Sequence, residues 1–137
     1  MAGPSFITWR LAEGQKPLEP RERDLVASVL RRGDGSRYTL LAFVVMDDHV
    51  HALARAGRWP PDRIAGSWRA TTEQQLQRIH GRRGEVWAAG HVAQEIRSPQ
   101  RRRDVEFSIV GNPWKRWPFL QGYRWMWTRA EGDGSGG

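Results

Sequence analysis

Leu40-Leu41-Ala42-Phe43-Val44-Val45-Met46-Asp47-Asp48-His49-Val50-His51-Ala52-Leu53 is an apolar run broken by two aspartates and resumed through two histidines one valine apart. A continuous apolar stretch with a two-residue polar break reads as a buried strand, a tight connection and a second strand. The spacing therefore predicts a hairpin, Arg37 to Met46 and His49 to Ala56, joined at Asp47-Asp48. Residues i and i+2 of a strand share a face, which puts His49 and His51 side by side and turns Val50 into the core. Two neighbouring imidazoles are half of a site for a divalent cation. The plainer alternative is a pair of hydrogen-bonded strand residues, and a third ligand is needed to decide between them.

Outward from the hairpin, Phe6 to Leu11 is short, aromatic and β-branched, and reads as a first strand. From Glu19-Pro20, the residues Leu25, Val26, Val29 and Leu30 recur at helical spacing, and Gly33-Asp34-Gly35 supplies the stop. Asp62 to His80 has Ile64, Trp68, Leu76 and Ile79 among polar residues and closes on Gly81 and Gly84, which suits an amphipathic helix. Val86-Trp87 through Ile96 suggests a further strand. Pro99 to about Gly111 reads as a last helix with a basic start, stopped by Asn112-Pro113. The order β-α-β-β-α-β-α is an α+β, ferredoxin-like layout, an antiparallel sheet with helices mainly on one face and the other face available. Residues 1–129 are expected to form one domain and residues 130–137, rich in glycine, a flexible tail.

The length of 137 residues suits one such domain. With 22 Lys+Arg against 15 Asp+Glu the net charge is +7 and the pI about 11.1, a balance that favours polyanionic partners, nucleic acid first. There are no cysteines, which excludes disulfides, thiolate metal sites and cysteine nucleophiles and leaves only N and O ligands for a metal. Nothing at the N-terminus looks like a secretory leader, and no apolar stretch approaches a membrane span, so a cytoplasmic protein with no membrane partner is expected.

Asn112 is a candidate third ligand through its side-chain carbonyl. On a helix, Ser108 and Asn112 lie four apart and project from one face. The ordinary alternative is that Asn-Pro simply ends the helix.

Four ordered stretches carry a resemblance that bears on this choice. They are Val45-Met46-Asp47-Asp48-His49-Val50-His51, Val86-Trp87 with Glu95-Ile96-Arg97-Ser98, Ser108-Ile109-Val110-Gly111-Asn112-Pro113, and Gly122-Tyr123-Arg124-Trp125. In order and spacing they are similar to the V-M-P-N-H-V-H, V-W-Q with I-R-D/S, Y-I-x-x-N-P and Y-R-W stretches of the HUH single-tyrosine transposase superfamily. Within it the chain most resembles the REP-associated tyrosine transposase-like proteins, over roughly residues 6 to 127. The resemblance implies a divalent metal, Mg or Mn, held by His49, His51 and Asn112, which polarises a DNA phosphate, and a tyrosine nucleophile four residues before the asparagine. Ser108 stands at that place, and Asp47-Asp48 stand where the family has Pro-Asn. What is implied is a metal half without its tyrosine: a protein that binds single-stranded or hairpin DNA, as monomer or homodimer, with strand transfer lost.

The alternative is an active metal-dependent nuclease or transesterase using Ser108, Tyr123 or water as nucleophile. A basic RNA-binding module of the same fold is a third reading, and it would need exposed aromatics on the sheet. Tyr38, the other tyrosine, is expected to serve its strand. Arg69, Arg82, Arg83, Arg101, Arg102, Arg103, Lys115 and Arg116 are the candidate DNA contacts, since most stand in basic clusters able to follow a phosphate backbone. The chain has 8 tryptophans. Trp114, Trp117, Trp125 and Trp127 alternate with basic residues near the C-terminus, a pattern that serves either core packing or base stacking.

Overall fold

The apolar run folds as a hairpin at the centre of one sheet. A computed structural model describes residues 3–130; the tail expected at 130–137 lies, beyond Ala130, outside the described residues. The elements are β1 (Ser5–Arg10), α1 (Pro20–Arg32), β2 (Tyr38–Val45), β3 (His49–Ala56), α2 (Pro61–His80), β4 (Val92–Glu95), α3 (Pro99–Arg116) and β5 (Met126–Thr128). The sheet runs β4-β1-β3-β2-β5 with every neighbouring pair antiparallel, which is the ferredoxin-like order extended by one edge strand. The Met46 N–H donates to the His49 carbonyl at 2.8 Å, so Asp47-Asp48 is the two-residue connection the spacing predicts.

Phase along β2 is set by a bulge. Leu40 pairs with Ala54 and Ala42 with Leu53, leaving Leu41 as an extra residue. Tyr38 and Leu40 before it, and Phe43 and Val45 after it, thus share a face, together with Ile7 and Trp9 of β1 and Val50 and Ala52 of β3. Helices α1 and α2 cover this face with Val26, Val29, Leu30, Ile64, Trp68 and Leu76.

Three expectations are corrected. The second sheet face is not left open, because α3 lies on it through Val105 and Ile109, against Val44, Met46 and Leu53. Helix α3 does not stop at Asn112-Pro113. It runs on to Arg116 with Pro113 buried inside it, since a proline removes one intrahelical donor but need not end a helix whose next turn is anchored. The strand expected from Val86 is confined to Val92–Glu95. Val86 and Trp87 are buried instead, with both backbone N–H groups donating to the Glu73 carboxylate.

Candidate metal centre and nucleic-acid interface

Pairing places the histidines in mid-sheet. Thr8 stands opposite His51 and Arg10 opposite His49 across β1 and β3, and Val50 between them is fully buried on the other face. The two imidazoles meet edge to face, with centroids 4.6 Å apart. The His49 Nδ1 lies 2.6 Å from Asp48 Oδ1. An ionised carboxylate only accepts, so Nδ1 carries the proton and Nε2 of His49 keeps its lone pair. The His51 Nδ1 lies 2.8 Å from Thr8 Oγ1, and its ring stacks on Phe6 at 5.2 Å. Among the described residues neither Nε2 has a hydrogen-bond partner.

The electrostatics act on His51 and Asp48. Burial, with the nearby His49, Arg10 and Lys115 charges, pushes His51 down to about 4 against the opposing pull of Asp48. His51 is thus neutral at physiological pH, the form that binds metals. Burial alone would raise the Asp48 carboxyl, but the hydrogen bond and charge of His49, and then Arg116, hold it below its ordinary range.

The last turns of α3 face this loop. Arg116 reaches Asp47 Oδ2 at 3.1 Å and Asp48 Oδ2 at 3.5 Å, and the Lys115 charge acts on His51. Asn112 lies one turn earlier, inside the helix, so its amide does not cap the end. Ser108 lies one turn before Asn112. Both are half-buried, and neither side chain is hydrogen-bonded among the described residues. No three His, Cys, Asp or Glu side chains cluster as a metal site among the described residues.

Tyr123 is committed elsewhere. Its hydroxyl donates to the Val45 carbonyl at 2.7 Å, its ring stacks on Trp117, and burial pushes its phenol up. Tyr38 is buried, donating to the Leu30 carbonyl at 2.5 Å.

The basic candidates divide. Arg82 has all five of its N–H donors engaged within the chain. They reach both Glu22 oxygens at 2.5 and 2.7 Å, Gln15 Oε1 at 3.0 Å, and the carbonyls of Lys16 and Pro17 at 2.8 and 3.1 Å. Arg69, on α2 and so across the sheet from the histidines, donates to the Ala88 carbonyl at 3.0 Å. Arg83, Arg101, Arg103 and Lys115 are exposed, while Arg102 pairs with Glu106 at 2.8 Å within α3. Sequence reasoning missed Thr8 and Phe6 as neighbours of His51, because only the β1–β3 register reveals them.

No family model and no curated protein matches the chain. Among solved structures it is similar to that of a REP-associated tyrosine transposase bound to a REP hairpin. The TM-score is 0.70 at 18% identity, over 91% of this chain and 76% of that one. The chain has the fold of that transposase. Among the described residues no helix is long and apolar enough to cross a membrane.

Proposed function

We propose that this chain is a transposase-like protein that binds single-stranded or hairpin DNA, with a divalent-metal site at His49, His51 and Asn112 and with tyrosine-dependent strand transfer lost at Ser108. The observation that carries the reading is the histidine pair itself. It sits under α3, each Nδ1 held by a neighbour and each Nε2 unpartnered, in a fold shared with a transposase whose structure holds a DNA hairpin.

The donor set suits the ion. Two imidazoles and an amide oxygen are borderline-to-hard ligands of the kind that take Mn²⁺ and, less tightly, Mg²⁺. Bound there, the cation would polarise a phosphate oxygen as a Lewis acid. The chain's own residues do the rest. Asp48 and Thr8 fix the two rings, as neighbours of metal-bound histidines commonly do. Lys115, with Arg101 and Arg103 at the far end of α3, supplies positive charge for the backbone.

Ser108 is shorter than tyrosine by a phenol ring, and its hydroxyl is far less acidic than a phenol of pKa about 10. The active alternative, cleavage by Ser108, Tyr123 or water, is weakened for Tyr123 because that hydroxyl is bound to the Val45 carbonyl.

The test is to incubate the protein with hairpin DNA carrying single-stranded flanks and Mn²⁺, and to resolve the products on a denaturing gel. Binding without a covalent adduct is expected, with an adduct appearing in Ser108→Tyr. A wild-type adduct that disappears in Ser108→Ala would overturn the loss of chemistry. Mn²⁺ affinity unchanged in His49→Ala would overturn the metal site.

A further inference from the structure

Beyond the histidines, a groove of about 740 Å³ opens where the chain leaves α3 and returns to the sheet edge. Its walls are the rings of Trp117, Tyr123 and Trp125, and its rim carries Arg23, Arg116 and Arg124. We infer that this groove is a binding site for an unpaired nucleobase together with its phosphate. The inference rests on the reading of the chain as a binder of single-stranded DNA, and it assigns that DNA a second point of contact.

The walls are fixed in advance. Tyr123 stacks on Trp117 at 5.8 Å and meets Trp125 edge to face at 5.3 Å, with its hydroxyl tied to the Val45 carbonyl. The Trp125 Nε1 donates to Asp24 Oδ1 at 2.7 Å. A site built this way loses little freedom when a flat ligand enters. Phe119, also on the lining, is 95% exposed. So large a ring in full contact with water contributes nothing to the core, and stacking on a base is a use that every nucleobase can satisfy.

Charge selects among flat ligands. No acidic side chain lines the groove, and the Arg23 guanidinium lies 4.6 Å above the Trp125 ring. The Arg124 side chain is 73% exposed, with only a 3.2 Å contact to Asp24. Apolar walls under a rim of three arginines, two of them sharing their charge with aspartates behind the groove, suit an aromatic anion better than an uncharged lipid or apolar peptide. Arg116 joins the groove to the histidine loop. Its guanidinium lies 5.5 Å over Trp117 on one side and pairs with Asp47 and Asp48 on the other. A strand with one base in the groove therefore carries its next phosphate past Arg116 toward His49. On the opposite side the groove shares Arg124 and Trp125 with a second hollow of about 560 Å³ that is lined by Arg31 and Arg32.

The experiment uses a single-stranded oligo-dT with one central 2-aminopurine, and a blunt duplex of equal length, both titrated with EDTA present. Wild-type protein is expected to quench the 2-aminopurine on binding. Phe119→Ala is expected to bind the single strand about tenfold more weakly, with less quenching, an unchanged melting curve and unchanged duplex affinity. Phe119→Ala behaving like wild type toward the single strand overturns the groove assignment while leaving DNA binding intact. Displacement of the oligonucleotide by poly-glutamate as effectively as by unlabelled oligo-dT overturns it too, because charge alone would then be recognised. If neither DNA binds, the wider reading falls and takes the groove with it.

Discussion

Arg82 and Glu22 are 60 positions apart in sequence yet form a side-chain ion pair almost closed to water, with the two side chains 9% and 6% exposed. In the sequence, Arg82-Arg83 reads as one more cluster for phosphate. What it lacks there is any sign of the carboxylate and the carbonyls of Lys16 and Pro17 that fold around it, since partners at long separation leave no local pattern. The same limit hid Thr8 from His51, whereas the side-by-side placement of His49 and His51 was legible because strand alternation is local. Glu22 also accepts the Glu19 N–H at 3.0 Å at the start of α1, so the pair ties a helix start to the loop after α2. Removing one partner of a buried pair leaves the other charge uncompensated. Arg82→Ala is expected to cost about 3 kcal/mol and to lower the melting temperature by roughly 10 °C in calorimetry. The pH dependence follows from Glu22. Burial raises its pKa, but the Arg82 hydrogen bond, the Glu19 backbone and the Arg82 charge together bring it below the ordinary 4.5. The folded carboxyl binds its proton less readily than the unfolded one, so this stabilisation is complete above about pH 4.5 and fades as pH falls through the folded value. Glu22→Gln should therefore flatten that part of the stability loss on acidification, and an unchanged acid profile would remove Glu22 from the account.

At the scale of elements, the bulge at Leu41 does what no reading of β2 anticipates. Leu40 to Met46 is apolar throughout, and a run without polar punctuation carries no phase, so alternation cannot say which residues face α1 and which face α3. The bulge sets it, and every pairing after it, Val44 with His51 and Val45 with Val50, depends on it. Deleting Leu41 alone leaves Leu40 opposite Ala54 and Ala42 opposite Leu53 in a regular ladder with both faces kept, whereas deleting Leu41 together with Ala42 should force either Tyr38 and Leu40, or Phe43 and Val45, to the wrong face, because a one-residue slip exchanges the two sides of a strand. The expected outcome is loss of cooperative thermal unfolding by circular dichroism in the double deletion, whereas the Leu41 deletion keeps it. A double-deletion variant that melts cooperatively near the wild-type temperature would mean that the facing of β2 is not what its register fixes. Helix α3 teaches a related point. Asn112-Pro113 reads as a stop, but Arg116 gains two aspartates by continuing and Pro113 is buried, so tertiary contacts outweigh the local signal.

Across the whole molecule, the charge of +7 is divided between arginines that hold the fold and cations that stand exposed. Arg82, engaged at every donor, and Arg69, bound to the Ala88 carbonyl, belong to the first kind. Arg101 and Arg103 are exposed at the start of α3, where their side chains hydrogen-bond to Gln94 and Gln100. Lys115 stands fourteen residues on, a separation of roughly 20 Å along the helix, beside the histidines. If α3 is the rail on which the DNA backbone lies, the two kinds of arginine must separate experimentally. Each phosphate contact to a single strand contributes about 0.7 to the slope of log K against log salt. The double substitution Arg101→Gln with Arg103→Gln should therefore reduce that slope by about 1.4 and leave the melting temperature where it was. Arg82→Gln should do the reverse, lowering the melting temperature while the slope, measured by anisotropy well below the transition, stays constant. An unchanged slope in the double variant would mean that the start of α3 faces water in the complex, and would confine the DNA to the Lys115 end, where the histidines, Arg116 and the aromatic groove adjoin.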